Sequence, residues 1–276
     1  MPHETEPNSQ QERRGAPLVR TRGNRRTLEF QPGDIQSEML LSRPDALVLE
    51  YARAMMCFVL FVPRPRHILM VGLGGGSLVK FCHRHLPQAR ITVLEISAEV
   101  IALREQFHIP PDDARLRIVH ADAAGYIAAM PASADVILVD GFDAAGMPAA
   151  LGSAAFYAAC RRALREGGVL VANLLSYDPQ YAALRARIDA AFGGRVCQFD
   201  GIAGNNHILF ALRAPARSDS ASASASAPAL APGAALHARL ARRRSARPSL
   251  LNRLPHRLCY RLLARLVVAW LAWRPV

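Results

Sequence analysis

Between His67 and Phe192 short apolar runs alternate with helical patterns, and this alternation constrains the fold more than any other feature of the chain. His67–Val71 is an apolar run that ends in glycines and reads as a buried strand; Leu78–His85 follows as a helix. The same pair recurs as Ile91–Ile96 with Ala98–Phe107, Leu116–His120 with Ala123–Met130, Val136–Asp140 with Ala154–Leu164, and Gly168–Leu174 with Tyr181–Phe192. Strands separated by helices predict βαβ units and a parallel sheet, because a parallel neighbour is reached only through a long crossover. Arg195–Phe199 and His207–Leu212 lie too close together for a crossover helix, so they are expected to pair antiparallel at the sheet edge. The expected fold is therefore α/β, doubly wound and Rossmann-like, with a mostly parallel sheet and an antiparallel edge hairpin.

The flanks read differently. Residues 1–26, rich in Arg, Gln, Asn and Pro without periodicity, are expected to form a disordered basic arm. In 27–66, Thr27–Phe30 and Asp34–Leu41 surround the turn signal Gln31-Pro32-Gly33, and Pro44 opens an apolar stretch to Phe61. This predicts a short N-terminal β-hairpin and then a helix, with proline and early acids suiting the helix start. The unit 67–212 is the expected nucleoside-binding domain, and 213–248 contains a Ser/Ala alternation that reads as a low-complexity linker. In 249–276, Arg253, Arg257, Arg261 and Arg265 recur every four residues, and Leu254, Leu258, Leu262 and Leu266 do so one step on. On a helix these form a basic stripe beside an apolar one, and three roles stay open for it: an anionic membrane surface, an acidic partner or nucleic acid, and docking on the core.

Charge and cysteines narrow the class. The net charge of +12 resembles a nucleic-acid binder's, yet 27–212 carries 16 basic and 18 acidic residues, while 213–276 carries twelve Arg and one acid. The positive charge thus belongs to the ends and says little about the chemistry of the middle. The five cysteines form no CxxC pair, so neither a disulfide framework nor a zinc ribbon is expected. Cys82 and His85 share a helix face without a second ligand cluster nearby, and no metal is expected. The polar start and the lack of an apolar run of ~18 residues predict a cytoplasmic protein.

Four places carry the expected chemistry. In Val71-Gly72-Leu73-Gly74-Gly75-Gly76-Ser77, glycines let the backbone approach a ligand and the following helix offers free N–H groups. Glu95 ends the next strand, where a carboxylate can accept from a ribose diol. Asp122, followed by Ala123, stands at the corner that meets the adenine in sulfonium-nucleoside folds, and is equally suited to cap a helix. Asp140 ends the fourth strand and Asp143 lies three residues on. Alkyl transfer from a sulfonium to an amine expels a neutral thioether, so no acid is needed. The amine, with a pKa near ~10, must be attracted as a cation and lose its proton. Two carboxylates at a strand end supply both.

On these residues the chain resembles the spermidine synthase (polyamine aminopropyltransferase) family, whose D-x-x-D-x-x-G-x-P signature with a later Leu and Phe-Tyr stands here as Asp140, Asp143, Gly146, Pro148, Leu151, Phe156 and Tyr157. The resemblance runs over 67–212 and extends to Ile35-Gln36 in the hairpin. It implies a class I methyltransferase-like fold, decarboxylated S-adenosylmethionine as donor and, since the family tends to dimerise, a homodimer. It also implies Asp140 as proton acceptor, Asp143 as a polyamine-binding acid, Glu95 on ribose, Asp122 on adenine and Gln36 at the donor's rim. Two family features are absent. The glycine loop has no aspartate, and the helix that holds the family's Tyr-His pair reads Leu49-Glu50-Tyr51. Both concern the amine ends of the substrates, so three readings stand: aminopropyl transfer to an amine or polyamine, methyl transfer from S-adenosylmethionine, and a non-catalytic nucleoside- or polyamine-binding module.

Overall fold

The structure, a computed structural model, describes residues 16–142, 146–203, 205–214 and 256–273. At the N-terminal end β1 (Leu18–Arg22), β2 (Arg25–Glu29) and β3 (Ile35–Leu40) form an antiparallel three-stranded sheet. Of the arm expected to lack structure over 1–26, residues 1–15 lie outside the described residues, and from Leu18 it forms β1, a tight loop and the start of β2. Its polar residues hid it, because β1 is held by its ladder to β2 more than by burial of its own side chains. The legible signal was Gly23-Asn24, a two-residue hairpin loop with Gly23 at φ +54°.

The main sheet has seven strands: β4 (His67–Val71), β5 (Arg90–Glu95), β6 (Leu116–His120), β7 (Ala134–Val139), β8 (Leu164–Leu175), β9 (Val196–Ala203) and β10 (Asn206–Leu212). Their order is β6-β5-β4-β7-β8-β10-β9. The first five are parallel, and β10 runs antiparallel to both β8 and β9. Crossovers are made by α2 (Ser77–His85), α3 (Ala98–Ala102), α4 (Ala123–Ala128), α5 (Ala154–Ala163) and α6 (Tyr181–Phe192). From β4 the chain winds outward to β5 and β6, then returns to β7 on the other side of β4. The strand order reverses between β4 and β7, and their carboxyl ends open a crevice there.

Side chains alternate across this sheet with the strand period of two. Ile68, Met70, Val136 and Leu138 face one core, and Leu69, Val71, Ile137 and Val139 face the other. The first core is covered by α2 and by α1 (Glu50–Met55) with its continuing 3-10 turn, Met56–Leu60. The helix expected from Pro44 is therefore shorter at its start. Asp45 serves α2 instead, with an ion pair to Arg84 (3.3 Å) and the His85 imidazole Nε2 at 3.6 Å. The helix expected to reach Phe107 also stops early, at Ala102. Phe107 leaves the helical line to bury its ring beside Gly75, and its carbonyl accepts from the Lys80 ammonium at 2.7 Å.

The last element, α7 (His256–Trp273), packs on the first core. Ala264, Val267 and Leu271 are buried there, and the Tyr260 ring stacks on Phe199 with centroids 4.5 Å apart. Arg265 reaches Glu50 of α1 at 2.6 Å. Of the leucine stripe expected as the apolar side, Leu262 and Leu266 are not docked, being 56% and 59% exposed, and Leu254 lies outside the described residues. Of the linker expected over 213–248, all but Arg213 and Ala214 lies outside the described residues.

Candidate active site

A cavity of about 730 Å³ opens at the crevice between β4 and β7 and is roofed by the N-terminal sheet and the start of α1. It is lined by Gln36, Gly72, Gly74, Glu95, Asp122, Ala123 and Asp140 among others, so residues distributed over a hundred positions of sequence meet in one place.

The glycine loop is built by the strand it leaves. Gly72 donates to Leu94 O (2.9 Å), and Asp140 donates to Val71 O (3.0 Å), which draws the β4–α2 and β7 ends together. With Gly72 at φ +93°, a Cβ there would stand 2.4 Å from the Asp140 carbonyl oxygen, so only glycine fits. Gly75 and Gly76, expected to bind a ligand, do not line the cavity. They allow close packing behind it: a Cβ would meet Ser37 Oγ and the Phe107 ring at Gly75, and Ile109 at 2.5 Å at Gly76. A glycine run cannot be divided by sequence into residues that clear a ligand and residues that clear a neighbour.

Glu95 ends β5 nearly buried, its Oε2 accepting from Leu73 N (2.8 Å) and its Oε1 from Ser97 N (2.9 Å). The two backbone bonds fix the carboxylate and leave it further acceptor capacity toward the cavity. Asp122 caps α4, accepting from Ala124 N (3.2 Å) and Gly125 N (3.1 Å), while lining the cavity as well. Gln36, on β3, lines the rim and donates to Asp34 at 2.8 Å.

Asp140 sits partly buried where β7 ends. Burial pushes its carboxyl above the ordinary carboxylate range, opposed by hydrogen bonds from Asn173 and Tyr51. Asn173 donates from Nδ2 to Asp140 Oδ1 at 2.9 Å, and its own Oδ1 accepts from Asn206 Nδ2 at 3.0 Å, which fixes the orientation of its amide. Tyr51, half-buried, stands beside Asp140, and burial together with that carboxylate raises its hydroxyl well above the usual phenol value, so the hydroxyl is a donor at neutral pH. Tyr51, Asn173 and Asn206 were not singled out as site residues from sequence. Asn173 had a signal, a lone amide within the apolar run Gly168–Leu174. Tyr51 stands in Leu49-Glu50-Tyr51, the stretch set against the family's Tyr-His pair, and nothing in its distance along the chain from Asp140 marks it as a partner of that carboxylate.

Asp143 lies outside the described residues. Pro148 and Leu151 of the same signature line the cavity, whereas Phe156 and Tyr157 are buried in the second core beneath it. Glu50 also lines the cavity. Its Oε1 accepts from Arg53 (2.7 Å) and Arg265 (2.6 Å), and its enclosed Oε2 takes no hydrogen bond among the described residues. Cys82 contacts Met56 Sδ at 3.7 Å in the core, and no group of three metal-ligating side chains occurs among the described residues.

A doubly wound sheet with this strand order, and a glycine loop and carboxylates at its switch point, defines an α/β enzyme of the Rossmann-like methyltransferase type. Comparison with known proteins narrows the class. Residues 49–180 match the model of the spermine/spermidine synthase domain. A polyamine aminopropyltransferase of Chromobacterium violaceum is 41% identical over 192 residues, covering 69% of this chain and 74% of the relative. One of Neisseria meningitidis is 37% identical over 200 residues, covering 72% and 76%. Among solved structures, a spermidine synthase in complex with the transition state analogue AdoDATO is 25% identical with a TM-score of 0.55, over 70% of this chain and 72% of that one. Human methyltransferase-like protein 13 in complex with SAH is 26% identical with a TM-score of 0.50, over 72% and 91%. The chain belongs to the spermine/spermidine synthase family.

Proposed function

We propose that this transferase moves an aminopropyl group from decarboxylated S-adenosylmethionine to an amine or polyamine, with Asp140 as the base. The observation that carries the reading is the Asp140 carboxylate at the switch point, held by Tyr51 and Asn173 and raised by burial toward the range in which a base can take a proton. In the step, the amine nitrogen forms a bond to the donor's propyl carbon. The carbon–sulfur bond breaks, its electron pair stays on sulfur, and the ammonium proton passes to Asp140. The leaving thioether is neutral and needs no acid.

The residues present suit such a donor. Glu95 has acceptor capacity left for a ribose diol, Gly72 and Gly74 permit close backbone approach, and Asp122 and Ala123 form the corner assigned to adenine. Gln36 closes the rim, and Asp143 is the second acid proposed for the amine. The protein is also proposed to work as a homodimer, which light scattering would read directly.

Methyl transfer from S-adenosylmethionine is the second reading, favoured by one feature: the loop Gly72–Ser77 carries no acid for the donor's free amine. Calorimetry of the full chain with both donors, followed by turnover with a panel of amines, separates the two. Preference for the decarboxylated donor and release of 5′-methylthioadenosine is the expected result. Preference for the carboxylated donor with release of the homocysteine thioether would replace it by methyl transfer, and binding without turnover would point to a non-catalytic module.

A further inference from the structure

Helix α7 has two apolar sides. Ala264, Val267 and Leu271 face the core, and Leu262, Leu266, Trp270 and Trp273 face outward, 56%, 59%, 43% and 83% exposed. Positions 262, 266, 270 and 273 follow the helical period, so these four side chains form one stripe along the outer surface. They make up four of the nine large apolar side chains exposed among the described residues. A concentration of this kind marks a binding surface, and tryptophan is the residue best suited to a boundary that is apolar on one side and wet on the other. Arg265, one position before Leu266, is 62% exposed at the edge of the stripe. It gives Glu50 one of its five N–H donors.

We propose that the outer face of α7 docks on an anionic lipid surface, with the helix axis parallel to the membrane and the four apolar side chains entering the headgroup boundary. Charge selects this occupant. The segment 213–276 carries twelve Arg and one acid, which an anionic surface attracts, whereas a second copy of the chain would bring the same excess of positive charge. No helix among the described residues is long and apolar enough to cross a membrane, so the contact lies on the surface. The inner face stays on the core, and the enzyme is held at the surface as a folded unit.

The chain holds two tryptophans, and both are in this stripe, so tryptophan emission reports on the stripe's surroundings. Full-length protein is titrated with vesicles of phosphatidylcholine containing one third phosphatidylglycerol, and with pure phosphatidylcholine, and binding is read by emission and by co-sedimentation. The expected result is a blue shift and co-sedimentation with the anionic vesicles that weaken as salt is raised. Leu262→Glu and Leu266→Glu, which alter exposed positions and leave the melting temperature in place, each lower the partition coefficient by roughly tenfold or more. Three results would overturn the proposal. The first is absence of binding to anionic vesicles. The second is binding that both variants retain in full, which would assign it to the basic segment alone. The third is concentration-dependent self-association abolished by the same variants without vesicle binding, which would assign the stripe to a second copy.

Discussion

Asp140→Asn changes one oxygen to an amide and keeps the shape of the side chain. The surrounding donors accommodate it: Asn173 presents its amide nitrogen, fixed by Asn206, to the retained oxygen, and the Tyr51 hydroxyl can rotate to accept from the new amide. What is lost is the proton acceptor. A positioned general base contributes roughly 10²–10⁴ in rate, about 3–5 kcal/mol of barrier, and the expected fall in kcat/KM at neutral pH lies in that range. Stability should move the other way. The folded-state pKa of Asp140 is raised, so between the ordinary carboxylate value and the raised one the folded state holds a proton that the unfolded chain lacks. Stability therefore falls as pH rises through that window. Asparagine has no such window, so at pH 7 the variant should unfold at the same urea concentration as the parent or a higher one. The assay is release of the thioether nucleoside, followed by chromatography, with donor binding measured alongside by calorimetry. Turnover within about threefold of the parent would remove Asp140 from the role of base, and a collapse of donor binding would show that it acts on the nucleoside instead.

Tyr51→Phe removes a hydrogen bond that favours the ionised form of Asp140, so the acid limb of the pH–rate profile should move to higher pH. Turnover at neutral pH should drop by roughly ten- to a hundredfold, the value of a hydrogen bond to a charged group, and an unmoved acid limb would refute the assignment. Lys80, the single lysine, is buried with its ammonium on the Phe107 carbonyl, and burial lowers its pKa from 10.5 to about 8. Between those values the unfolded chain binds the proton more tightly, so parental stability should rise with pH by about 3 kcal/mol relative to Lys80→Met; parallel urea-unfolding curves for the two proteins across pH 8–10.5 would show that the lysine is not desolvated.

The parts of the fold that were legible in sequence are those governed by period. Apolar runs in β4, β5 and β7 are buried on both faces, and their bounds fell within two residues of expectation. Elements whose cause lies elsewhere in the fold were not legible. β1 depends on its partner strand, and α3 stops at Ala102, short of Phe107, whose ring packs beside Gly75. The same division runs through the candidate site. Glu95, Asp122 and Asp140 stand at strand ends, which topology alone carries to one edge of the sheet. Tyr51 and Asn206 reach Asp140 and its partner Asn173 through tertiary packing from distant segments, and a linear sequence holds no mark of that. The C-terminal helix combined both cases: its amphipathic character was plain, but two apolar stripes compete on one cylinder, and the core took the one with Ala264 at its centre because a small side chain lets the helix come close.

Trimming this protein to its matched domain would remove α7, and the ion pair between Arg265 and Glu50 makes that cut a change at the cavity wall. Glu50 would keep Arg53 and lose its second guanidinium, so one wall of the pocket would carry a different charge and a looser carboxylate. Any coupling carried by this ion pair would be reciprocal, so a ligand that changes the hold of Glu50 on Arg265 would change the docking of α7 by the same factor. A shortened chain would thus retain every residue of the matched domain and lack one of the two guanidinium partners of a cavity-lining carboxylate.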